Sequence, residues 1–177
     1  MNRSSAVLGV VVLGLAGSLG ISPASAVGKQ SPSAAPGGGY FRLASELNGK
    51  CLEVRGGNLG NGGAVAMRDC SGYANQAWTA ISLGNHAFQF QNGQSGKCLD
   101  LQDDNSTNGA GVNQWACADN PAQRWYTFGV GGSEYSFHVG NENGKCLAIA
   151  DRNPWNGAAV VIEDCFGDLN QYWLIHA

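Results

Sequence analysis

Six cysteines stand at positions 51, 70, 98, 117, 146 and 165, so three successive pairs each enclose a separation of 19 residues, and the pairs recur every 47 or 48 residues. Other residues keep the same beat. Gly-Lys-Cys-Leu recurs at 49–52, 96–99 and 144–147, and Asn-Gly follows each first cysteine at Asn61, Asn108 and Asn156. A valine precedes each second cysteine, at Val65, Val112 and Val160. Six residues after each second cysteine comes Gln-x-Trp: Gln76-Ala77-Trp78, Gln123-Arg124-Trp125 and Gln171-Tyr172-Trp173. Markers in phase across three registers describe one supersecondary unit used three times, with units of about 46 residues near 40–86, 87–134 and 135–177.

Within a unit, short apolar runs alternate with turn residues. In the first these are Phe41 to Leu43, Cys51 to Val54, Ala64 to Arg68 and Trp78 to Ile81, and none holds a helical period over ten residues. Glycine, at 27 of 177 residues without a Gly-X-Y period, supplies turns rather than collagen or long helices. Four strands per unit make about twelve. The expected fold is all-β: a β-trefoil of three four-strand repeats with pseudo-threefold symmetry, a closed barrel capped by hairpins.

Charge narrows the partners. Ten Lys and Arg against 13 Asp and Glu leave a net charge of −3, no basic field to condense on phosphate, and no expectation of nucleic-acid binding. Residues 1–26 read as a secretory signal peptide, with Met1-Asn2-Arg3 as a basic start, an apolar run from Ala6 to Ile21 and a small-residue end at Ala24-Ser25-Ala26. Glycines at 9, 14, 17 and 20 break the run short of a bilayer span, so no membrane insertion is expected. Residues 27–39, rich in Ser, Pro, Gly and Ala, read as a flexible linker before a domain at 40–177. The expected location is secreted, extracellular.

In an oxidising compartment the pairs Cys51 with Cys70, Cys98 with Cys117 and Cys146 with Cys165 read as disulfides, one per repeat. Metal ligation is disfavoured because no Cys-x-x-Cys or neighbouring histidine accompanies them. Each bridge closes a loop worth ~3 kcal/mol in the chain-entropy account.

Three Gln-x-Trp motifs, each preceded by a Cys-Leu and a second cysteine, resemble the ricin-B (R-type) lectins and related carbohydrate-binding modules over the whole domain. The resemblance implies that Trp78, Trp125 and Trp173 are core. It also implies that Asp100 and Trp115 hold a sugar, with Asn113 as a polar flank and Gln123 as support.

Strand alternation puts Asp100 on the face of Cys98, and Asn113 and Trp115 on the face of Cys117. If the cysteines stand directly opposite across an antiparallel pair, Asp100 faces Trp115 and Gln102 faces Asn113. A carboxylate would then bind vicinal hydroxyls while an indole covers the apolar side of a pyranose. Ala122 stands where the family often has an Asn that reaches the sugar. The same register opposes Glu53 to Arg68 in the first repeat, a pocket expected to be filled by a salt bridge although Asn75 and Gln76 are present. In the third repeat it opposes Ala148 to Glu163, so the acceptor is lost and Asn170 and Gln171 are left without partners. The first and third sites are therefore expected to be degenerate.

The resemblance thus implies a lectin-like module, expected to be secreted and without cofactor or metal, that binds a mono- or oligosaccharide, such as a cell-surface or plant or microbial polysaccharide, mainly through its middle repeat. The alternative is a non-catalytic protein-interaction subunit of a secreted toxin or enzyme assembly. An enzyme is not expected: hydrolase and phosphate-loop motifs are absent from the sequence, and Asp103-Asp104 and Glu163-Asp164 are strand neighbours that point apart. His86, His138 and His176 read as surface or packing residues. Trp155 reads as a stacking platform or a lid on the barrel rim, and Asn105-Ser106-Thr107 is a glycosylation sequon.

Overall fold

The computed structural model describes residues 39–140 and 144–177. The leader at 1–26 and most of the linker at 27–39 lie outside the described residues.

Among the described residues twelve strands follow one another in chain order. The first repeat supplies β1 (Arg42–Ser45), β2 (Cys51–Val54), β3 (Gly63–Arg68) and β4 (Trp78–Gly84). The second supplies β5 (Ala87–Asn92), β6 (Cys98–Leu101), β7 (Val112–Trp115) and β8 (Trp125–Gly131). The third supplies β9 (Glu134–Val139), β10 (Cys146–Ile149), β11 (Val160–Glu163) and β12 (Trp173–His176).

The first and last strand of every repeat form the barrel. β1 pairs with β12, β12 with β9, β9 with β8, β8 with β5 and β5 with β4. Phe41 and Trp78 exchange two backbone hydrogen bonds of 2.8 Å, which join β4 back to β1 and leave no open edge. The middle strands form three caps, β2–β3, β6–β7 and β10–β11, which touch through Ala64 with Asn113, Ala66 with Ala159 and Gly111 with Val161. This is the expected β-trefoil.

Trp78, Trp125 and Trp173 are all 0% exposed. Each indole N–H donates at 3.0 Å to a backbone carbonyl of its own repeat's cap, Leu52, Leu99 and Leu147 respectively. A buried tryptophan supplies apolar area only if that N–H finds a partner, and the Leu of each Cys-Leu provides it. Phe41, Phe90 and Phe137 fill the barrel edge to face.

The three disulfides form as expected, with Cα–Cα distances of 5.0, 5.0 and 5.2 Å. The register does not. Cys98 faces Trp115, Asp100 faces Asn113 and Leu101 faces Val112, a shift of two residues from the expected pairing. The other repeats shift alike: Glu53 faces Ala66 and Arg68 faces Cys51, while Ala148 faces Val161 and Glu163 faces Cys146. A disulfide tolerates Cα separations of roughly 4.4–6.8 Å, so it need not join directly opposed residues. Here it reaches diagonally from the start of one strand to a cysteine two positions beyond the end of its partner. A shift of two residues preserves parity, so Cys98, Asp100, Asn113 and Trp115 still share a face.

Candidate functional site

The glutamines of the three repeated motifs fix the ground on which the site stands. Gln123 Nε2 donates to the Ala116 carbonyl at 3.0 Å and its Oε1 accepts from Ala118 N–H at 2.8 Å, bracketing Cys117. Gln76 does the same around Cys70, through Asp69 O and Ser71 N, and Gln171 around Cys165, through Asp164 O and Phe166 N. Each segment leaving a cap is thereby held by a buried side chain that replaces strand pairing.

On this frame the middle repeat gathers the expected residues. Asp100 is 8% exposed, and its Oδ2 accepts a 2.9 Å hydrogen bond from the second N–H of Gln123. Directly opposite stands Asn113, 6% exposed, whose buried Oδ1 has no hydrogen-bond partner. Trp115 stands diagonally from Asp100, 47% exposed, over Gly62 of the first repeat, where a Cβ would lie 3.7 Å from the indole. Together they line a pocket of about 190 Å³.

Two acceptors and an exposed ring therefore face one small space. A buried unpartnered oxygen costs about 1–3 kcal/mol unless a donor meets it. A vicinal diol can give one hydroxyl to Asn113 and another to Asp100 while its carbon skeleton lies on the indole. Burial pushes the Asp100 carboxyl above the usual carboxylate range; the Gln123 hydrogen bond opposes this, and the nearby charges of Asp104 and Asp103 add to it.

Gln102 does not take the place expected of it. The chain leaves the strand at Leu101 into a 3-10 turn, Gln102 is exposed over Gly111, and its amide donates to Asp103 at 3.3 Å. The pocket gains instead Asp103, Asp104 and Asn120. Asp103 and Asp104 adopt left-handed backbone, with φ of 57° and 52°, at the positions Gly56-Gly57 occupy in the first repeat. That shared conformation was the available sequence signal, since Asp is among the few residues besides Gly that adopt it readily. Asn120 caps the next 3-10 turn, its Oδ1 accepting from Gln123 N–H at 3.0 Å.

The other two sites are built differently from expectation. Glu53 makes no pair with Arg68; its Oε2 accepts from Asn75 at 3.2 Å and Gln76 at 3.3 Å, and Arg68 is exposed at the strand end. Glu at 53 thus folds inward onto the two amides, the reach of its extra methylene replacing a salt bridge. In the third repeat Ala148 supplies no acceptor, but Glu163 does so from the facing strand, its Oε2 accepting from Asn170 at 3.3 Å. Asn170 also donates to the Ile149 carbonyl, and Gln171 to the Asp164 carbonyl, so neither amide is without a partner.

The Asn-Gly markers have a role the sequence did not disclose. Asn61 Oδ1 accepts from Ala116 N–H in the second repeat, Asn108 from Asp164 N–H in the third, and Asn156 from Asp69 N–H in the first. Each repeat thus holds the next in a closed cycle. Trp155, 73% exposed beside Asn156, covers no core and is not a lid. His138 lies 3.8 Å from Cys165 Sγ, yet Cys146 and Cys165 are joined as a disulfide, which removes the thiolates a metal would need.

Residues 39–173 match the family of ricin-type beta-trefoil lectin domains. The chain belongs to that family. It is similar to the designed threefold-symmetric protein ThreeFoil, with a TM-score of 0.76 and 28% identity covering 79% of this chain and 99% of that one. It is similar also to an exo-β-1,3-galactanase from Clostridium thermocellum, TM-score 0.76 and 22% identity, covering 81% of this chain but 31% of the enzyme. The C-half of an earthworm R-type lectin, solved in complex with GalNAc, gives a TM-score of 0.64 and 21% identity over 78% of this chain and 98% of that one. The last two likenesses are of fold alone. No curated protein matches the chain in sequence.

Proposed function

We propose that this lectin-family domain is a secreted, non-catalytic carbohydrate-binding module whose middle repeat holds one sugar. The observation that carries the reading is the pairing of a buried carboxylate, Asp100, with the unpartnered buried Oδ1 of Asn113 beneath the half-exposed Trp115. Both polar groups accept, so the ligand must donate twice from adjacent positions and offer an apolar face, as a pyranose does. Gln123 orients Asp100 rather than touching the sugar. Secretion rests on the leader at 1–26, and the similarity to lectins solved with GalNAc and lactose favours a sugar over other polyols.

One site without intramolecular avidity implies dissociation constants in the micromolar to millimolar range. Calorimetry after a glycan array tests this. Trp115→Ala should weaken binding of the best glycan about tenfold, while the thermal midpoint moves by no more than a few degrees. Undiminished binding by that variant would move the site elsewhere.

A further inference from the structure

Ala122 does more than remove one amide. In the first repeat Asn75 donates to the Val54 carbonyl at 3.1 Å, and in the third Asn170 donates to the Ile149 carbonyl at 3.1 Å, each side chain filling the corner between cap and 3-10 turn. Ala122 holds the same position in the middle repeat and leaves that corner, beside Leu101, unfilled.

A cleft of about 810 Å³ passes through it. Leu101, Ala122, Val139 and Ile162, each at most 5% exposed, give it an apolar floor between the second and third repeats. It adjoins the pocket at Asp100: Leu101, Asp104 and Asn120 line both. The smaller pocket, about 190 Å³, falls below the ~300–1,000 Å³ usual for a ligand site, and the larger lies within that range.

We infer that this cleft is a second subsite, which takes a neutral pyranose linked to the sugar held at Asp100. The inference rests on the sugar-binding reading of that pocket. The occupant is neutral because, among the described residues, the lysine at the rim, Lys145, is paired with Asp164, and Asp104 adds a negative charge. The floor suits the C–H face of a ring, and Asn120, placed at the junction, can serve hydroxyls of both units. The middle site therefore selects oligosaccharides over monosaccharides, and it does so through the residue by which its repeat departs from the other two.

Titration calorimetry on the whole secreted chain, with galactose, xylose, galactotriose and xylotriose as probes, tests this. The trisaccharide of whichever sugar binds should bind at least tenfold more tightly than its monosaccharide, a gain of about 1.4 kcal/mol. Ser106→Trp, an exposed change at the cleft and outside the Asp100 pocket, should abolish that gain and leave monosaccharide affinity unchanged. Adding one sialic acid to the trisaccharide should bring no further gain. Equal affinity for mono- and trisaccharide, or a gain that survives Ser106→Trp, overturns the subsite while leaving the Asp100 site standing. If none of the four probes binds at millimolar concentration, the sugar reading itself fails and the subsite falls with it.

Discussion

Asp100→Asn separates what the carboxylate does for the ligand from what it does for the fold. The substitution keeps shape and keeps an oxygen to accept the 2.9 Å hydrogen bond from Gln123. It removes the charge. Charge-assisted hydrogen bonds contribute about 1.5–3 kcal/mol each against about 1 for neutral ones, so the one sugar hydroxyl that Asp100 accepts should lose about 1 kcal/mol, or about fivefold in affinity. Stability should move the other way. Burial raises the Asp100 pKa, which means the folded state disfavours the ionised form, and asparagine mimics the protonated one. The ionised carboxylate therefore costs stability above its raised folded pKa, and the cost vanishes below the unfolded value. The variant should melt at or above the parent temperature at pH 7, and the difference should shrink as pH falls through the range just above an ordinary carboxylate pKa. Sugar affinity of the parent should decline in the same window. Calorimetry with the best-binding sugar and thermal melts at pH 7 and pH 4 give both readouts. A variant that binds normally, or that is markedly destabilised at pH 7, refutes the reasoning: the first outcome denies Asp100 its ligand role, and the second makes it a structural acid.

Two further outcomes test the frame. Lowered pKa values at Asp69, from hydrogen bonds by Lys50 and then Asn156, and at Asp164, from Lys145 and then Asn108, stabilise the fold above the ordinary carboxylate pKa, and that contribution is lost as pH falls through the lowered folded values. The double variant Asn108→Ala/Asn156→Ala should lower the melting temperature at pH 7 and flatten its decline on acidification, read by circular dichroism; an unchanged pH profile would deny the clamps their role. Gln171→Ala strips the Phe166 N–H and the Asp164 carbonyl of their partner, which should cost about 2–4 kcal/mol in urea unfolding with no change in sugar affinity.

What the sequence made legible follows from what strand geometry constrains. Alternation with period two put Asp100, Asn113 and Trp115 on one face, and that survived a register two residues away from expectation, because a shift of two cannot change parity. The register itself was not legible. Direct opposition of Cys98 and Cys117 predicts one pairing, whereas a disulfide spanning 5.0 Å between Cα atoms serves a diagonal pair as well. Gln102 failed for a related reason: its place presupposed that β6 continued past Leu101, and the left-handed Asp103 and Asp104 end it there. The reach of Glu163 to Asn170 was hidden because it replaces a missing residue on one strand with a longer side chain on another, a substitution in space with no trace in spacing.

The cyclic clamps explain why so regular a frame carries unequal sites. Gln76, Gln123 and Gln171, the three buried tryptophans and the three Asn-Gly asparagines all bond backbone groups, whose positions the threefold arrangement fixes. Changing any of them would leave a buried N–H or carbonyl unpaired in a repeat, or uncouple two repeats. Asp100 and Trp115, and their counterparts Glu53 and Glu163, hang from the face of a cap and bond side chains or solvent. They can differ without disturbing the barrel. Symmetry therefore belongs to the groups that meet main chain, and the differences between the three sites mostly to those that do not. Ala122 is the exception: its counterparts Asn75 and Asn170 donate to cap carbonyls, a hydrogen bond its methyl cannot make, so the wider site proposed in the middle repeat comes with the loss of one tie between cap and turn.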